Sequence, residues 1–295
     1  MKIVITGSLG NVSKPLAQKL VKSGHQVVVI SSKADKVNVI EELGAKAAIG
    51  SVEDVQFLTA QFTGADAVYA MVPPTMSAAD WKGYIENIGQ NLAQAIQSSG
   101  VKNVVLLSSV GAHLEDGCGP VSGLYRVEQI FNKLKDVNLV YLRAGFFYNN
   151  LFANLNLIKN AGIIGSNYQA DTQMILVDPA DIASAAYEKL NTLSFKGHSV
   201  EYVVSDVRTN AEVAKALGAA IGKNDLPWVE FKDEDSLGGM LGAGVPQEVA
   251  KNYVEMGTAV RSGKMFTDFE LQGKPVSGKT KLEDFAKVFA AVYNN

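Results

Sequence analysis

The chain has 295 residues, 47% hydrophobic and 19% charged, which supplies ample material for a core and excludes global disorder. Its 27 basic and 30 acidic residues leave a formal charge of −3, which argues against nonspecific nucleic-acid or anionic-membrane binding as a main role. A single cysteine, Cys118, rules out an intrachain disulfide and a multi-cysteine metal site, and three scattered histidines (His25, His113, His198) lack ligand spacing, so no metal is expected. Ile3-Val4-Ile5 is too short for a signal peptide, and no apolar run approaches the roughly 18–20 residues of a membrane span. A soluble, cytoplasmic protein is expected.

Lys2-Ile3-Val4-Ile5 reads as a buried strand and Thr6-Gly7-Ser8-Leu9-Gly10-Asn11 as a small-residue turn. A helix follows, with Val12, Leu16 and Leu20 on its apolar face beside Ala17 and Val21. Pro15 falls in its first turn, where no N–H is required. Gln26-Val27-Val28-Val29-Ile30 is a second strand. Glycines where a strand runs into a helix, set between two apolar strands, form the pattern of a dinucleotide-binding turn. Gly7 suits the tight turn, and Gly10 lets a pyrophosphate approach the backbone. The helix N-terminus offers N–H groups and a positive dipole end to the phosphates. Ser13 stands at the third glycine of the usual spacing and is small enough for close packing.

Ser31-Ser32-Lys33 lies about twenty residues beyond that turn, where an acid would bind the ribose 2′-hydroxyl of NAD. Two hydroxyls and a cation suit a 2′-phosphate instead, so NADP(H) is the expected cofactor. Asp35 reads as a helix cap. A helix through Val37, Ile40 and Leu43 stops at Gly44, Lys46–Ile49 is a third strand, and 54–62 is a further helix. The strand 67–72 ends at Pro73-Pro74, and its carboxyl end offers Met71, Val72 and Pro73 as cofactor walls. A helix over 79–98 turns Ile85, Ile88, Leu92, Ala95 and Ile96 inward and closes at Gly100.

The strand 104–109 ends in Ser108-Ser109, expected to touch ribose or nicotinamide, and a loop carrying His113 follows. Next come a helix with Val127, Ile130, Phe131 and Leu134 on one face, then the strand 139–143, ending in Ala144-Gly145-Phe146-Phe147-Tyr148. Strand and helix thus alternate six times, and right-handed crossovers imply a parallel sheet with helices on both faces. Beyond Leu151 the rhythm breaks. Strands are expected at 174–177, 202–204 and 228–231. Helices are expected around Ile182–Leu190, around Val213–Ala220, and twice between 234 and 256. The last helix, opening with the capping-box spacing Thr280-Lys281-Leu282-Glu283, should bury Phe285, Val288, Phe289 and Val292.

The motifs Thr6-Gly7-Ser8-Leu9-Gly10, Leu106-Leu107-Ser108-Ser109-Val110-Gly111-Ala112, Arg143-Ala144-Gly145-Phe146-Phe147 with Asn150, and Val177-Asp178-Pro179-Ala180-Asp181-Ile182-Ala183 resemble those of the NmrA-like branch of the atypical short-chain dehydrogenase/reductases. The tail 278–285 is also similar. The resemblance implies a doubly wound parallel Rossmann core over residues 1–150. A smaller α/β substrate lobe, mainly 151–295, would follow, with segments near 174–204 returning to the core. It further implies NADP(H) and either reduction of a small conjugated, quinone-like acceptor or a nonenzymatic sensing role read by a regulatory protein partner; a homodimer is compatible with both.

The superfamily's usual Tyr and Lys, four residues apart, are absent. Tyr125 is followed by Gln129, and an alignment on Glu128 places Pro120 and Leu124 at those positions. Carbonyl reduction by that pair is therefore not expected, and sugar-nucleotide isomerisation less so. The remaining proton-donor candidates are His113, Tyr148 and Tyr125. Phe146-Phe147-Tyr148 is expected to wall the acceptor, and Gly145, Phe146 and Phe147 to border the cofactor.

Overall fold

Alternation of apolar residues along the strands decides how the layers form. In a computed structural model describing residues 1–295, the first half runs β1 (Lys2–Ile5), α1 (Ser13–Lys22), β2 (Gln26–Ser31), α2 (Val37–Glu42), β3 (Lys46–Ile49), α3 (Val55–Phe62), β4 (Ala67–Ala70), α4 (Trp81–Ser99), β5 (Asn103–Ser109), α5 (Pro120–Phe131) and β6 (Asn138–Ala144). Ile3, Ile5, Val27, Val29, Tyr69, Val105, Val140 and Leu142 bury themselves with α1 residues on one side of the sheet. Val4, Val28, Ile30, Val68, Val104, Leu106, Leu139 and Tyr141 do so with α4 and α5 residues on the other. Successive side chains of a strand point to opposite faces, so each apolar run feeds both cores at once.

The second half runs β7 (Phe146–Phe147), a 3₁₀ stretch over Tyr148–Asn154, α6 (Leu155–Ala161), β8 (Ile164–Ser166), β9 (Gln173–Val177), α7 (Pro179–Thr192), β10 (His198–Val203), β11 (Asp206–Thr209), α8 (Asn210–Ala220), β12 (Trp228–Glu230), α9 (Asp233–Gly242), α10 (Gln247–Arg261), α11 (Thr267–Leu271) and α12 (Leu282–Tyr293). The main sheet has the order β10-β6-β5-β4-β1-β2-β3, all parallel. The chain builds outward from β1 in one direction, then restarts at β4 and builds in the other. The crevice between the carboxyl ends of β1 and β4 is therefore the switch point at which such sheets bind ligands. A third core forms away from the sheet, around Tyr148, Ile158, Ile164, Leu176, Leu217, Phe269, Phe285 and Phe289, with small sheets β11-β9-β7 and β12-β8 beside it.

Several expectations need correction. Strand β4 ends at Ala70 rather than at Val72, because the Met71 N–H leaves the ladder and donates to Thr6 Oγ1 at 2.8 Å. The strand expected at 202–204 starts earlier, at His198, and pairs along its whole length with β6. Asp35 caps nothing: it lies inside a 3₁₀ turn, paired with Lys36. Thr280 is not the cap of α12 either. Its N–H donates to Asp181 and its carbonyl accepts from Tyr148, so the helix begins only after Lys281. Val288 and Val292 face solvent, while Leu282, Phe285, Ala286 and Phe289 form the buried stripe. Strands β8 and β11 and helix α11 are too short to show a period.

Thr209, by contrast, closes a complete capping box with Glu212 at the start of α8. Tyr69, in the middle of β4, is fully buried and its hydroxyl has no hydrogen-bond partner. Burial also pushes its ionisation far above the ordinary tyrosine range. An orphaned buried polar group costs about 1–3 kcal/mol. Tyr69→Phe, which removes only that oxygen, is expected to raise the unfolding free energy by about 1 kcal/mol in urea denaturation.

Candidate functional site

The glycine turn at the end of β1 is built around constraints that only small residues satisfy. Gly7 has φ +88°, and a Cβ there would stand 2.7–2.9 Å from Met71 Sδ, Met71 Cγ and Ser13 Oγ. Both the backbone and the space demand glycine. Ser13, the first residue of α1, is buried and its hydroxyl donates to the Thr6 carbonyl at 2.9 Å. A hydroxyl tie thus stands where a third glycine would have served only packing. Ser8 also holds a left-handed conformation, at φ +55°, and is fastened by its N–H to the Ile30 carbonyl and its hydroxyl to Ser31 Oγ at 2.9 Å. Gly10 and Asn11 are exposed, Leu9 is half-buried, and no side chain caps α1, where Val12 occupies the N-cap position. These uncapped N–H groups fit a pyrophosphate.

The end of β2 divides its three polar residues by role. Ser31 is buried and engaged with Ser8 and with the Lys33 N–H, so it shapes the loop. Ser32 and Lys33 are exposed, and their side chains bond to nothing in the protein. On the far side of the crevice Met71, Val72 and Pro73 are half-buried. Met71 packs over Gly7, whereas Val72 joins the opposite core.

The expected proton donors are not gathered together. Tyr148 is buried in the third core, stacked on Phe285 at 5.2 Å, and its hydroxyl donates to the Thr280 carbonyl. Burial, followed by the charges of Asp206 and Asp178, raises its ionisation well above the ordinary range. Phe146 packs into that third core and Phe147 into the α1 side of the main sheet. The three consecutive aromatics therefore form no continuous wall, because neighbouring strand residues diverge. Gly145 serves close packing: a Cβ there would lie 2.6 Å from the Ile175 carbonyl oxygen. Tyr125 is half-buried on α5. Ser109 bonds to the Val110 carbonyl. His113 sits beyond the end of β5 with Nε2 on Thr267 Oγ1 at 2.8 Å.

Ser108 belongs to a network that motif spacing does not reveal. Parallel register aligns Ser108 on β5, Arg143 on β6 and Tyr202 on β10 in one row of the sheet. Glu128 descends on this row from α5 and accepts from Ser108 Oγ at 2.6 Å, Arg143 Nε at 3.1 Å and Arg143 Nη2 at 2.6 Å. Arg143 Nη1 reaches Asp268 of α11 at 2.8 Å, and the Tyr202 hydroxyl also donates to Asp268. Burial alone would lower the ionisation of Arg143, but the hydrogen bonds and charge of Glu128 outweigh it and hold the guanidinium firmly protonated. The only sequence signal was chemical, a Glu and an Arg on apolar elements that bury them.

No three His, Cys, Asp or Glu side chains converge as around a metal ion, and no helix is long and apolar enough to cross a membrane. Cys118 is buried, and burial first, with the nearby Glu255 charge second, pushes its thiol up to about 12.

Comparison with known proteins agrees with this fold. Residues 7–140 match a protein-family model described as NAD(P)H-binding. Over 295 residues the chain is 22% identical to an NAD(P)H azoreductase of Xenophilus azovorans, covering 99% of each. An Escherichia coli NADPH-dependent quinone oxidoreductase, solved with NADPH, superposes with a TM-score of 0.82 at 20% identity, over 97% of this chain and 99% of that one. A Citrobacter triphenylmethane reductase, solved with NADP(H), gives 0.79 at 21% identity, over 98% and 99%. The fold is that of Rossmann-type NAD(P)-binding proteins.

Two outcomes follow from the buried charges. Arg143→Met, which leaves Glu128 unpaired, should lower the unfolding free energy by about 3–5 kcal/mol, and adding Glu128→Gln should recover part of that loss in a double-mutant cycle. In the native protein Cys118 should resist a thiol-specific reagent at pH 8 and react fully once unfolded, as read by the released chromophore.

Proposed function

We propose that this protein is an NADP(H)-dependent oxidoreductase that reduces a small, conjugated, quinone-like or azo acceptor. The observation that carries the reading is the crevice at the switch point. A glycine turn leads into an uncapped helix, and the end of β2 presents Ser32 and Lys33 with no acid. A free ammonium and hydroxyl there suit a 2′-phosphate, and the absence of a carboxylate removes the usual ribose ligand of NAD. Azoreductase, quinone oxidoreductase and dye reductase activities in the names of similar proteins support the acceptor class. When bound, the dinucleotide would supply the hydride, and the protein would supply orientation. We assign 1–150 to holding the cofactor and the later segments mainly to the acceptor, with 174–204 completing the sheet.

A second reading is a cofactor-responsive binding protein without turnover. It is favoured by the occupied hydroxyls of Tyr148 and Ser108, which leave neither free to donate a proton. It requires tight NADPH binding, negligible oxidation with any acceptor, and a protein partner whose affinity changes with cofactor.

Calorimetric titration should show NADPH binding at least about tenfold more tightly than NADH, a difference of about 1.4 kcal/mol. Lys33→Glu should abolish that preference while leaving NADH affinity within about twofold. Stopped-flow oxidation of NADPH against quinones and azo dyes separates the two readings: turnover supports the reductase, and its absence with tight binding supports the sensor.

A further inference from the structure

The glycine turn after β1 and the loop after β2 are joined through a single oxygen atom. Ser31 is the last residue of β2 and is 2% exposed. Its backbone is fixed by pairing with Ile49 of β3 and by the Gly50 N–H, which donates to its carbonyl at 3.0 Å. From that fixed point Ser31 Oγ accepts from the Ser8 hydroxyl at 2.9 Å and from the Lys33 N–H at 3.2 Å. Its own hydrogen points toward the Lys33 carbonyl at 3.5 Å. A serine hydroxyl has one hydrogen and two lone pairs, so all of its bonding capacity goes to these two segments.

Each branch holds a conformation that the chain would not keep unaided. Ser8 sits at φ +55°, in the left-handed region that a residue with a Cβ rarely adopts. Its N–H bond to the Ile30 carbonyl and its hydroxyl bond to Ser31 retain it there. A few residues on, the backbone N–H groups of Asn11 and Val12 donate to no group of the protein. The direction in which the turn presents them therefore depends on Ser8. On the other branch Lys33 is extended, with φ −110° and ψ 116°, just before the tight turn Ala34–Lys36. Its side chain is exposed, so the ties at its N–H and carbonyl set the point from which the ammonium reaches out.

Resting on the NADP(H) reading above, we infer that Ser31 is a positioning residue for cofactor selectivity. Through one oxygen it holds the pyrophosphate turn and the 2′-phosphate loop in a fixed relation, acting by way of Ser8 and Lys33 rather than by touching either phosphate. A dinucleotide without a 2′-phosphate draws on the Ser8 branch only, and one that carries it draws on both. The branches are separable. Glycine adopts φ +55° without strain, so Ser8→Gly relieves the turn of its need for Ser31 and leaves the Lys33 branch dependent on it.

Calorimetric titration of the cofactor-free protein with NADPH and with NADH reads both branches. Ser31→Ala should weaken NADH at least about threefold and NADPH at least about tenfold, as expected for the loss of one and of two hydrogen-bonded ties. The ratio of the two affinities should then fall at least about threefold. Ser31→Thr, which keeps the oxygen, should hold both affinities within about twofold of wild type. Ser31→Val, matched to threonine in shape but without its oxygen, should repeat the Ser31→Ala pattern. Adding Ser8→Gly to Ser31→Ala should recover most of the NADH affinity and leave the ratio low. Amide hydrogen exchange without ligand supplies an independent readout: the Ser8 and Lys33 N–H groups should exchange at least about tenfold faster in Ser31→Ala, with β1 as protected as in wild type. Unchanged affinities, equal losses for both dinucleotides, a Ser31→Thr as impaired as Ser31→Val, or unchanged exchange at both amides would overturn the assignment. A wild type that binds neither dinucleotide, or binds NADH more tightly than NADPH, would instead overturn the NADP(H) reading on which the assignment rests.

Discussion

Arg143 lies at the end of β6 with its guanidinium nearly out of water, a placement tolerable only if carboxylates meet it there. Glu128 does so from α5 in two-pronged fashion, and Asp268 does so from α11. One cation therefore ties a helix of the first half and a short helix of the last thirty residues to the same strand. The row Ser108–Arg143–Tyr202 makes this possible, because parallel strands in register set their side chains shoulder to shoulder on one face. Remove the charge balance and both α5 and α11 lose their anchor beside the crevice.

That anchor matters because the carboxyl-end edge of the sheet is assembled from loops that share little else. The glycine turn is held from below by Ser13, from one side by Ser31 through Ser8, and from the other by Thr6 and Met71. Ser8 sits in a conformation that non-glycine residues adopt at a cost of about 1–2 kcal/mol, and its two hydrogen bonds, to Ile30 and Ser31, offset that strain. The turn is thus braced from three sides by hydrogen bonds within the protein.

The opposite side of the site has a different character. Helix α5 carries an acid, Glu128, already satisfied by Ser108 and Arg143. Tyr148, next to two phenylalanines, is turned into the third core and tied to the chain before α12. Thr267 and Asp268, adjacent on α11, reach His113 and Arg143 respectively. The same short helix therefore holds the buried cation and touches the imidazole of His113. These contacts join residues more than 120 positions apart.

Local pattern was enough to reveal the alternating strands and helices, the glycine turn and the run Ser31-Ser32-Lys33 at the end of β2, since each is written in a few consecutive residues. The apolar stripes of α1 and α4 were legible for the same reason. Local pattern misplaced α12, because Val288 and Val292 satisfy a helical repeat as well as Ala286 does and only the neighbouring core selects the stripe. It also read Phe146, Phe147 and Tyr148 as one surface, although β7 and the 3₁₀ stretch send them to separate cores. The pairing of Arg143 with Glu128 and Asp268, and of His113 with Thr267, was decided by the tertiary structure alone. Burial and long-range register choose the partner of a charge or a ring nitrogen, and neither leaves a periodic trace along the chain.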